Sequence, residues 1–294
     1  MKSFFLIFIF CLLVFQPDFI LAQASAPAGQ ESLTLWIIAP EICRTCKIQP
    51  VVNSLKALFA KVVIQSLKPD DPLAQELIKK HKITMLPAYI FSKSLAKEAN
   101  FSQFQNALIP AQDSYYVNPS MTGVSYFLGR EVIPGKLDLL IFITRAETLP
   151  LVKMVEGIIP QKRHNRSFIL NLIGQIEENQ EAKSGLGKHE LQEGELYACM
   201  ENLYPEKFWD YLLCRLADSD NLFWEDCLTD KSIKKEKVVQ CARTDQGKKL
   251  YAKRIQLSQE LQIQYGPLFV LDNVEIFGVT PQSTLQDIMS AINP

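Results

Sequence analysis

The chain has 294 residues, of which 48 % are hydrophobic, an ordinary composition for a globular protein. Its 31 Lys and Arg residues nearly balance 32 Asp and Glu residues, for a formal net charge of −1. This composition excludes a disordered or fibrous chain, and it argues against a nucleic-acid partner bound through bulk positive charge. The length predicts about two domains, since one domain commonly has roughly 100–200 residues.

The first 24 residues have the pattern of a secretory signal peptide. Lys2 precedes an unbroken apolar run over 4–15, and Ala22-Gln-Ala24 ends the segment. We expect cleavage after Ala24, which exports the mature chain to the periplasm or, in a eukaryote, to the endoplasmic reticulum lumen or outside. The run is too short for a comfortable membrane span, although a retained anchor is the alternative, and no later segment predicts a span in the mature chain. Residues 25–31 are expected to be a flexible leader.

The distribution of the cysteines separates two kinds of site. Cys11 lies in the signal peptide, so six cysteines remain after cleavage. Cys43 and Cys46 form a CxxC motif near the start of the mature chain, and four more cysteines lie in a C-terminal block. An even number in an exported protein fits full pairing in disulfides.

The region around the CxxC motif alternates predicted strands and helices. An apolar strand comes directly before Cys43, and apolar residues at helical spacing follow Cys46. The predicted order is strand 33–38, CxxC, helix 48–59, strand 62–64, helix 72–81 and a proline-led strand 84–91. A CxxC beside such a strand–helix–strand pattern is typical of a thioredoxin-like redox motif.

Residues 32 to about 110 therefore resemble the thioredoxin superfamily, and the predicted domain that carries the CxxC spans residues 32–135. In that family the proline that enters the third strand is cis and faces the CxxC, and Pro87 matches its order and spacing. The resemblance implies that Cys43 is the nucleophile and Cys46 the resolving thiol. It further implies substrate contacts at Pro87, with Leu86 and Arg44 beside the site.

The chemistry of a CxxC motif depends on a thiolate. We expect Cys43 at the N-terminus of the following helix, where free amides and the helix dipole stabilise the thiolate. Arg44 should lower its pKa further, and Glu41 should oppose this effect. Two departures from the family are visible: Ile37 stands where thioredoxins have a buried acid, and the helix proline falls one residue early, at Pro50.

Residues 136–294 predict a second domain on a similar plan. A strand over 137–144 is followed by Arg145-Ala-Glu-Thr instead of a CxxC, and later elements are a strand at 167–173, a helical region at about 188–262 and a hairpin over 268–277. This part resembles DsbA-like proteins and the interferon-inducible lysosomal thiol reductase family. The matching segments are Tyr197-Ala-Cys199, Phe208 to Cys214, Asp226-Cys227, Gln240-Cys241-Ala and Pro267.

The second domain is interpreted as a redox-dead relative of the first. Its four cysteines are expected to form structural disulfides that hold the helical insertion, because none belongs to a CxxC motif. Three pairings are open, and the sequence does not choose between them. The four residues are Cys199, Cys214, Cys227 and Cys241.

The combined hypothesis is an α/β protein of two thioredoxin-like domains, the second with a helical insertion. It acts as an exported thiol–disulfide oxidoreductase through Cys43-Arg-Thr-Cys46 and needs neither a diffusible cofactor nor a metal. Its expected partners are client proteins with thiols or disulfides and a redox protein that resets the pair. The alternatives are a non-catalytic binding or scaffold protein in which the CxxC is a fixed staple, and a metal-delivery protein that uses the CxxC.

Overall fold

The computed structural model describes residues 32–158, 167–177, 181–219, 221–279 and 283–292. The predicted signal peptide and leader lie outside these residues. Within the described ranges, no helix combines the length and apolar character needed to cross a membrane.

The described residues form a mixture of strands and helices. The strands are β1 (Thr34–Ile38), β2 (Val63–Leu67), β3 (Met85–Leu86), β4 (Ala88–Ser92), β5 (Leu108–Pro110), β6 (Ser114–Val117), β7 (Tyr126–Phe127), β8 (Lys136–Ile141), β9 (Ser167–Leu172), β10 (Gln175–Ile176), β11 (Ala182–Lys183), β12 (Leu268–Leu271) and β13 (Glu275–Gly278). The α-helices are α1 (Ile48–Leu58), α2 (Pro72–His81), α3 (Phe101–Phe104), α4 (Pro119–Thr122), α5 (Leu149–Ile158), α6 (Lys188–Leu203), α7 (Phe208–Ala217), α8 (Lys235–Ala242), α9 (Asp245–Glu260) and α10 (Leu285–Ile292).

The first sheet has the strand order β2-β1-β4-β6-β5. Strand β1 is parallel to β2 and antiparallel to β4. Successive side chains of β1 point to opposite faces, so Leu35 and Ile37 pack with α1 while Ile38 packs with α2. Helices α1 and α2 thus pack on opposite faces of this sheet, and the CxxC motif lies in the connection between β1 and α1.

The second sheet has the order β9-β8-β12-β13-β7-β3. Its central strands repeat the arrangement of the first sheet. Strand β8 is parallel to β9 and antiparallel to β12, and β12 is in turn antiparallel to β13. The predicted hairpin is confirmed, because β12 and β13 pair antiparallel and three residues, 272–274, connect them. Asp272 and Asn273 have positive φ angles of 48° and 70°, and the Val274 amide donates to the Leu271 carbonyl at 3.0 Å. The predicted α/β fold class is therefore confirmed.

Strands β3 and β7 connect the two sheets. Both precede residue 136, yet β3 pairs with β7 and β7 pairs with β13 in the second sheet. The amide of Ile276 donates to the Ser125 carbonyl at 2.8 Å, and Phe127 N donates to Val274 O at 2.8 Å. The predicted boundary at residue 135 thus does not separate the strands of the two sheets, and backbone hydrogen bonds hold the two parts together.

Helices α6 to α9 form the predicted insertion, and two disulfides cross it. Cys199–Cys241 joins α6 to α8, and Cys214–Cys227 joins α7 to the 3-10 turn at Trp224–Cys227. Cys199 and Cys241 are buried in the core of this part of the molecule. The structure therefore selects one of the three pairings that the sequence leaves open.

We expect Gly194→Ala to destabilise the insertion by about 1–3 kcal/mol, the usual cost of overpacking a core. Gly194 lies in α6, and a Cβ there meets the ring of Tyr251, with Cδ2 at 2.8 Å. Tyr251 lies in α9 and is fully buried. This clash outweighs the gain of roughly 1 kcal/mol that Ala normally brings to a helix interior.

Gly185→Ala is the matched control for Gly194→Ala, because a Cβ at Gly185 meets nothing within 4 Å. Urea unfolding of both variants checks the prediction, and the control should stay within about 0.5 kcal/mol of the parent. Equal stabilities for the two variants would contradict the packing argument.

Candidate active site

Cys43 and Cys46 are joined by a disulfide, with their Cα atoms 5.5 Å apart. Both residues are partly exposed, and the preceding Ile42 is 78 % exposed. The pair therefore lies at the surface, in the loop between β1 and α1. This loop, Ile42 to Lys47, is called the CxxC loop below.

The expectation that Cys43 sits at the N-terminus of a helix is wrong. Helix α1 begins at Ile48, after both cysteines. Extending it by one residue needs a hydrogen bond from the amide of residue 50 to the carbonyl of Cys46, and Pro50 has no N–H to donate. Because the helix dipole acts mainly within the first turn, it contributes little at Cys43.

The guanidinium of Arg44 is bound inside the protein. Its Nη2 lies 2.6 Å from Asp272 Oδ2 and 2.8 Å from Glu275 Oε1, and its side chain is 12 % exposed. Burial opposes the charge of Arg44, but hydrogen bonds to Glu275 and Asp272 outweigh it, and the pKa of Arg44 is raised. The predicted effect of Arg44 on the pKa of Cys43 is therefore offset, because two carboxylates neutralise its guanidinium. The substrate contact that the resemblance implies for Arg44 stays a prediction.

Glu275 of β13 holds the backbone of the CxxC loop. Its Oε2 accepts hydrogen bonds from the Arg44 amide at 2.8 Å, the Thr45 amide at 3.2 Å and the Thr45 hydroxyl at 3.3 Å. The Thr45 Oγ1 atom lies 3.8 Å from Cys43 Sγ. Sequence reasoning missed Glu275; the one signal was a carboxylate within the otherwise apolar strand Val274-Glu275-Ile276-Phe277.

The Leu86–Pro87 peptide bond is cis, as the resemblance implies. Both residues are buried, and the Leu86 carbonyl accepts a hydrogen bond from the Ser125 amide at 2.8 Å. The Ser125 hydroxyl donates to the Thr45 carbonyl at 3.3 Å, which ties the same segment to the CxxC loop. The chain's own β7 thus pairs with the edge at Leu86, whose carbonyl is already hydrogen-bonded within the chain.

The corresponding end of β8 is occupied by a carboxylate. Glu190 of α6 accepts hydrogen bonds from the amides of Ile143 and Thr144 at 2.7 and 2.9 Å and from the Thr144 hydroxyl at 2.5 Å. Burial raises the pKa of Glu190 despite these hydrogen bonds. The Gly266–Pro267 bond, which precedes β12, is also cis. This end of the second sheet repeats the backbone arrangement of the first with a buried acid and no CxxC.

The described residues contain no group of three or more His, Cys, Asp or Glu side chains placed to hold a metal ion. The histidines in these ranges serve other contacts: His81 Nε2 lies 2.9 Å from Ser114 Oγ, and burial lowers the pKa of His81.

Comparisons with known proteins add similarity in structure only. No family model and no curated protein matches the chain. The oxidoreductase DsbA from Xylella fastidiosa is 12 % identical, with 58 % of this chain and 94 % of that chain covered and a TM-score of 0.44. DsbA from Proteus mirabilis is 11 % identical, with 58 % of this chain and 91 % of that chain covered and a TM-score of 0.42. The oxidoreductase NmDsbA1 from N. meningitidis is 8 % identical, with 56 % of this chain and 86 % of that chain covered and a TM-score of 0.41. At these scores the likeness carries no argument about function.

We expect Arg44→Ala to destabilise the protein by about 2–4 kcal/mol, since it leaves two largely buried carboxylates without their cation. The side chains of Asp272 and Glu275 are 16 % and 3 % exposed. Lys68→Ala is the matched control: it also removes one cation, but its ion pair with Glu41 has side chains 57 % and 73 % exposed. The control should leave the urea unfolding midpoint close to that of the parent, because solvent screens this exposed pair. Equal losses in urea unfolding would contradict a buried role for Arg44.

Proposed function

We propose that the chain is an exported thiol–disulfide oxidoreductase that exchanges electrons with client proteins through Cys43 and Cys46. One observation carries the proposal: the CxxC disulfide is partly exposed in a loop at the end of a central strand. By contrast, Cys199, Cys227 and Cys241 of the other two disulfides are buried in the helical insertion. Exposure matters because exchange requires a thiolate to reach a disulfide sulfur.

The proposed reaction runs through one mixed disulfide. The Cys43 thiolate attacks a client disulfide, a bond forms between Cys43 and one client sulfur, and the other client sulfur leaves as a thiolate that takes a proton. Cys46 then attacks Cys43 Sγ, which releases the second client thiolate and forms the Cys43–Cys46 disulfide. The client gains two electrons and the pair loses two; the reverse sequence oxidises a client dithiol. A redox partner protein with its own dithiol or disulfide resets the pair.

Export is part of the proposal because the described chain contains three disulfides. Disulfides persist in oxidising compartments and are rare in the cytosol. The signal-peptide pattern of residues 1–24 agrees with this compartment.

The second candidate function is a non-catalytic binding or scaffold protein, with Cys43–Cys46 as a fixed staple. The covered edge at Leu86 favours it, because β7 occupies the backbone position next to Pro87. The hold of Glu275 on the CxxC loop favours it as well.

A redox titration of the full mature chain separates the two candidates. The chain is equilibrated with thiol–disulfide buffers, free thiols are alkylated, and each cysteine pair is quantified by mass spectrometry. If the chain is an oxidoreductase, the reduction potential of the Cys43–Cys46 couple should be less negative than about −300 mV. The reduction potentials of structural disulfides are more negative than about −300 mV. Cys199–Cys241 is the internal control. Reduction of both pairs at the same low potential would favour the staple.

A further inference from the structure

We propose that Glu275 of the second sheet is a positioning residue that keeps Cys43 less acidic and the CxxC disulfide less oxidising than the loop alone would make them. The inference deepens the proposed function and rests on it. It concerns the regulation of the same site by a residue of the other sheet.

Glu275 binds the two backbone amides that follow Cys43 in the chain. Its Oε2 accepts from the amides of both Arg44 and Thr45. In a CxxC loop without a helix at Cys43, the amides of the next two residues are the backbone donors adjacent in sequence to the sulfur, and hydrogen bonds to a thiolate would lower its pKa. A carboxylate that already occupies them leaves the sulfur with fewer partners.

The charges around the loop act in the same direction. One guanidinium, Arg44, faces two carboxylates, Asp272 and Glu275, so this cluster has a net negative charge. Thr45 Oγ1 lies 3.8 Å from Cys43 Sγ and 3.3 Å from Glu275 Oε2, so one hydroxyl separates the sulfur from the acid. Glu41, two residues before Cys43, is paired with Lys68. The remaining acids thus disfavour a second negative charge at Cys43.

The redox state of Cys43 and Cys46 is therefore linked to the hydrogen bonds between the CxxC loop and Glu275 of the second sheet. Reduction of the disulfide takes up two electrons and two protons and leaves two thiols, and ionisation of Cys43 releases one of those protons to solvent. The Cys43 thiolate then competes with Glu275 for the same amides and is repelled by it. Glu275 therefore stabilises the disulfide form relative to the form with an ionised Cys43.

The test compares Glu275→Gln with its parent in the full mature chain that also carries Cys46→Ala, so that Cys43 titrates alone. The Cys43 ionisation is followed by the ultraviolet absorbance of the thiolate and by the pH dependence of alkylation. We expect Glu275→Gln to increase the thiolate fraction at acidic pH by about 3- to 10-fold. In the chain with both cysteines, it should shift the equilibrium with a reference dithiol toward the reduced pair.

Glu260→Gln is the matched control, because Glu260 is also a carboxylate paired with an arginine, Arg130, at 3.3 Å. It should leave the Cys43 titration unchanged. An unchanged titration in Glu275→Gln, or an equal change in Glu260→Gln, would overturn the inference. Should Glu275→Gln fail to fold, Asp272→Asn removes one charge of the same cluster while Glu275 keeps its amide contacts. A smaller increase in the thiolate fraction is then expected, and no increase would overturn the inference.

These readouts do not depend on client turnover. A Cys43 titration that responds to Glu275→Gln in a chain that exchanges with no client would support the inference and count against the proposed function. A chain that catalyses exchange but shows the same Cys43 titration in parent and variant would retain the function and lose the inference.

Discussion

Replacing Cys43 by Ala is expected to abolish catalysed exchange with a client disulfide, a loss of at least about 100-fold in rate. The reason is chemical: Cys43 supplies the attacking thiolate, and the remaining Cys46 follows it in the partly exposed loop but has no partner with which to resolve a mixed disulfide. The measurement is the initial rate at which the reduced mature chain reduces a model protein disulfide.

The control for Cys43→Ala is the double variant Cys214→Ala/Cys227→Ala, which removes cysteines without touching the CxxC loop. Its exchange rate should remain within a few-fold of the parent when its circular dichroism shows a folded chain. A Cys43→Ala variant that keeps the parental rate, or a control that loses it, would contradict the assignment of the nucleophile.

Removing the Cys199–Cys241 disulfide is expected to cost about 4 kcal/mol of folding stability, and removing Cys214–Cys227 about 3 kcal/mol, from the loop-closure entropy of the unfolded chain. The difference follows from the sequence separations, which are 42 and 13 residues. The first bridge also lies in the core between α6 and α8, where Cys199 is fully buried. Each pair is replaced by two alanines, so that no free thiol remains.

Urea unfolding of both double variants without reductant measures these losses. The larger loss should belong to Cys199→Ala/Cys241→Ala. A loss below about 1 kcal/mol for this variant would contradict a stapling role, because native disulfides in exported domains typically contribute about 2–5 kcal/mol.

Local signals in the sequence were sufficient for most of the fold. The strand predicted at 33–38 is β1 (Thr34–Ile38), and the helical region predicted at about 188–262 contains α6 to α9. Both predictions follow from the spacing of apolar residues along the chain, a signal that depends only on residues close together in the sequence. Strands β3 and β7 have two residues each, too few for any periodicity, so their place in the second sheet could not be predicted.

The candidate site was predicted only in part. The CxxC motif is visible in the sequence itself, whereas the cis bond before Pro87 is implied by the resemblance and is confirmed. Glu275 was not foreseen, because its hydrogen bond to Arg44 spans 231 residues. Pro50 departs from the family pattern, and the start of α1 at Ile48 shows the structural effect of this departure. Contacts between distant parts of the chain leave no local pattern to identify.

Trapping of clients tests the central claim, that Cys43 exchanges electrons with other proteins, most directly. The Cys46→Ala chain is expressed in the source cells, which are then quenched with acid and alkylated, and adducts are resolved without reductant. The account predicts reductant-sensitive mixed disulfides joined through Cys43, which disappear in Cys43→Ala/Cys46→Ala. A Cys46→Ala chain that accumulates no adducts beyond that double variant would contradict the account.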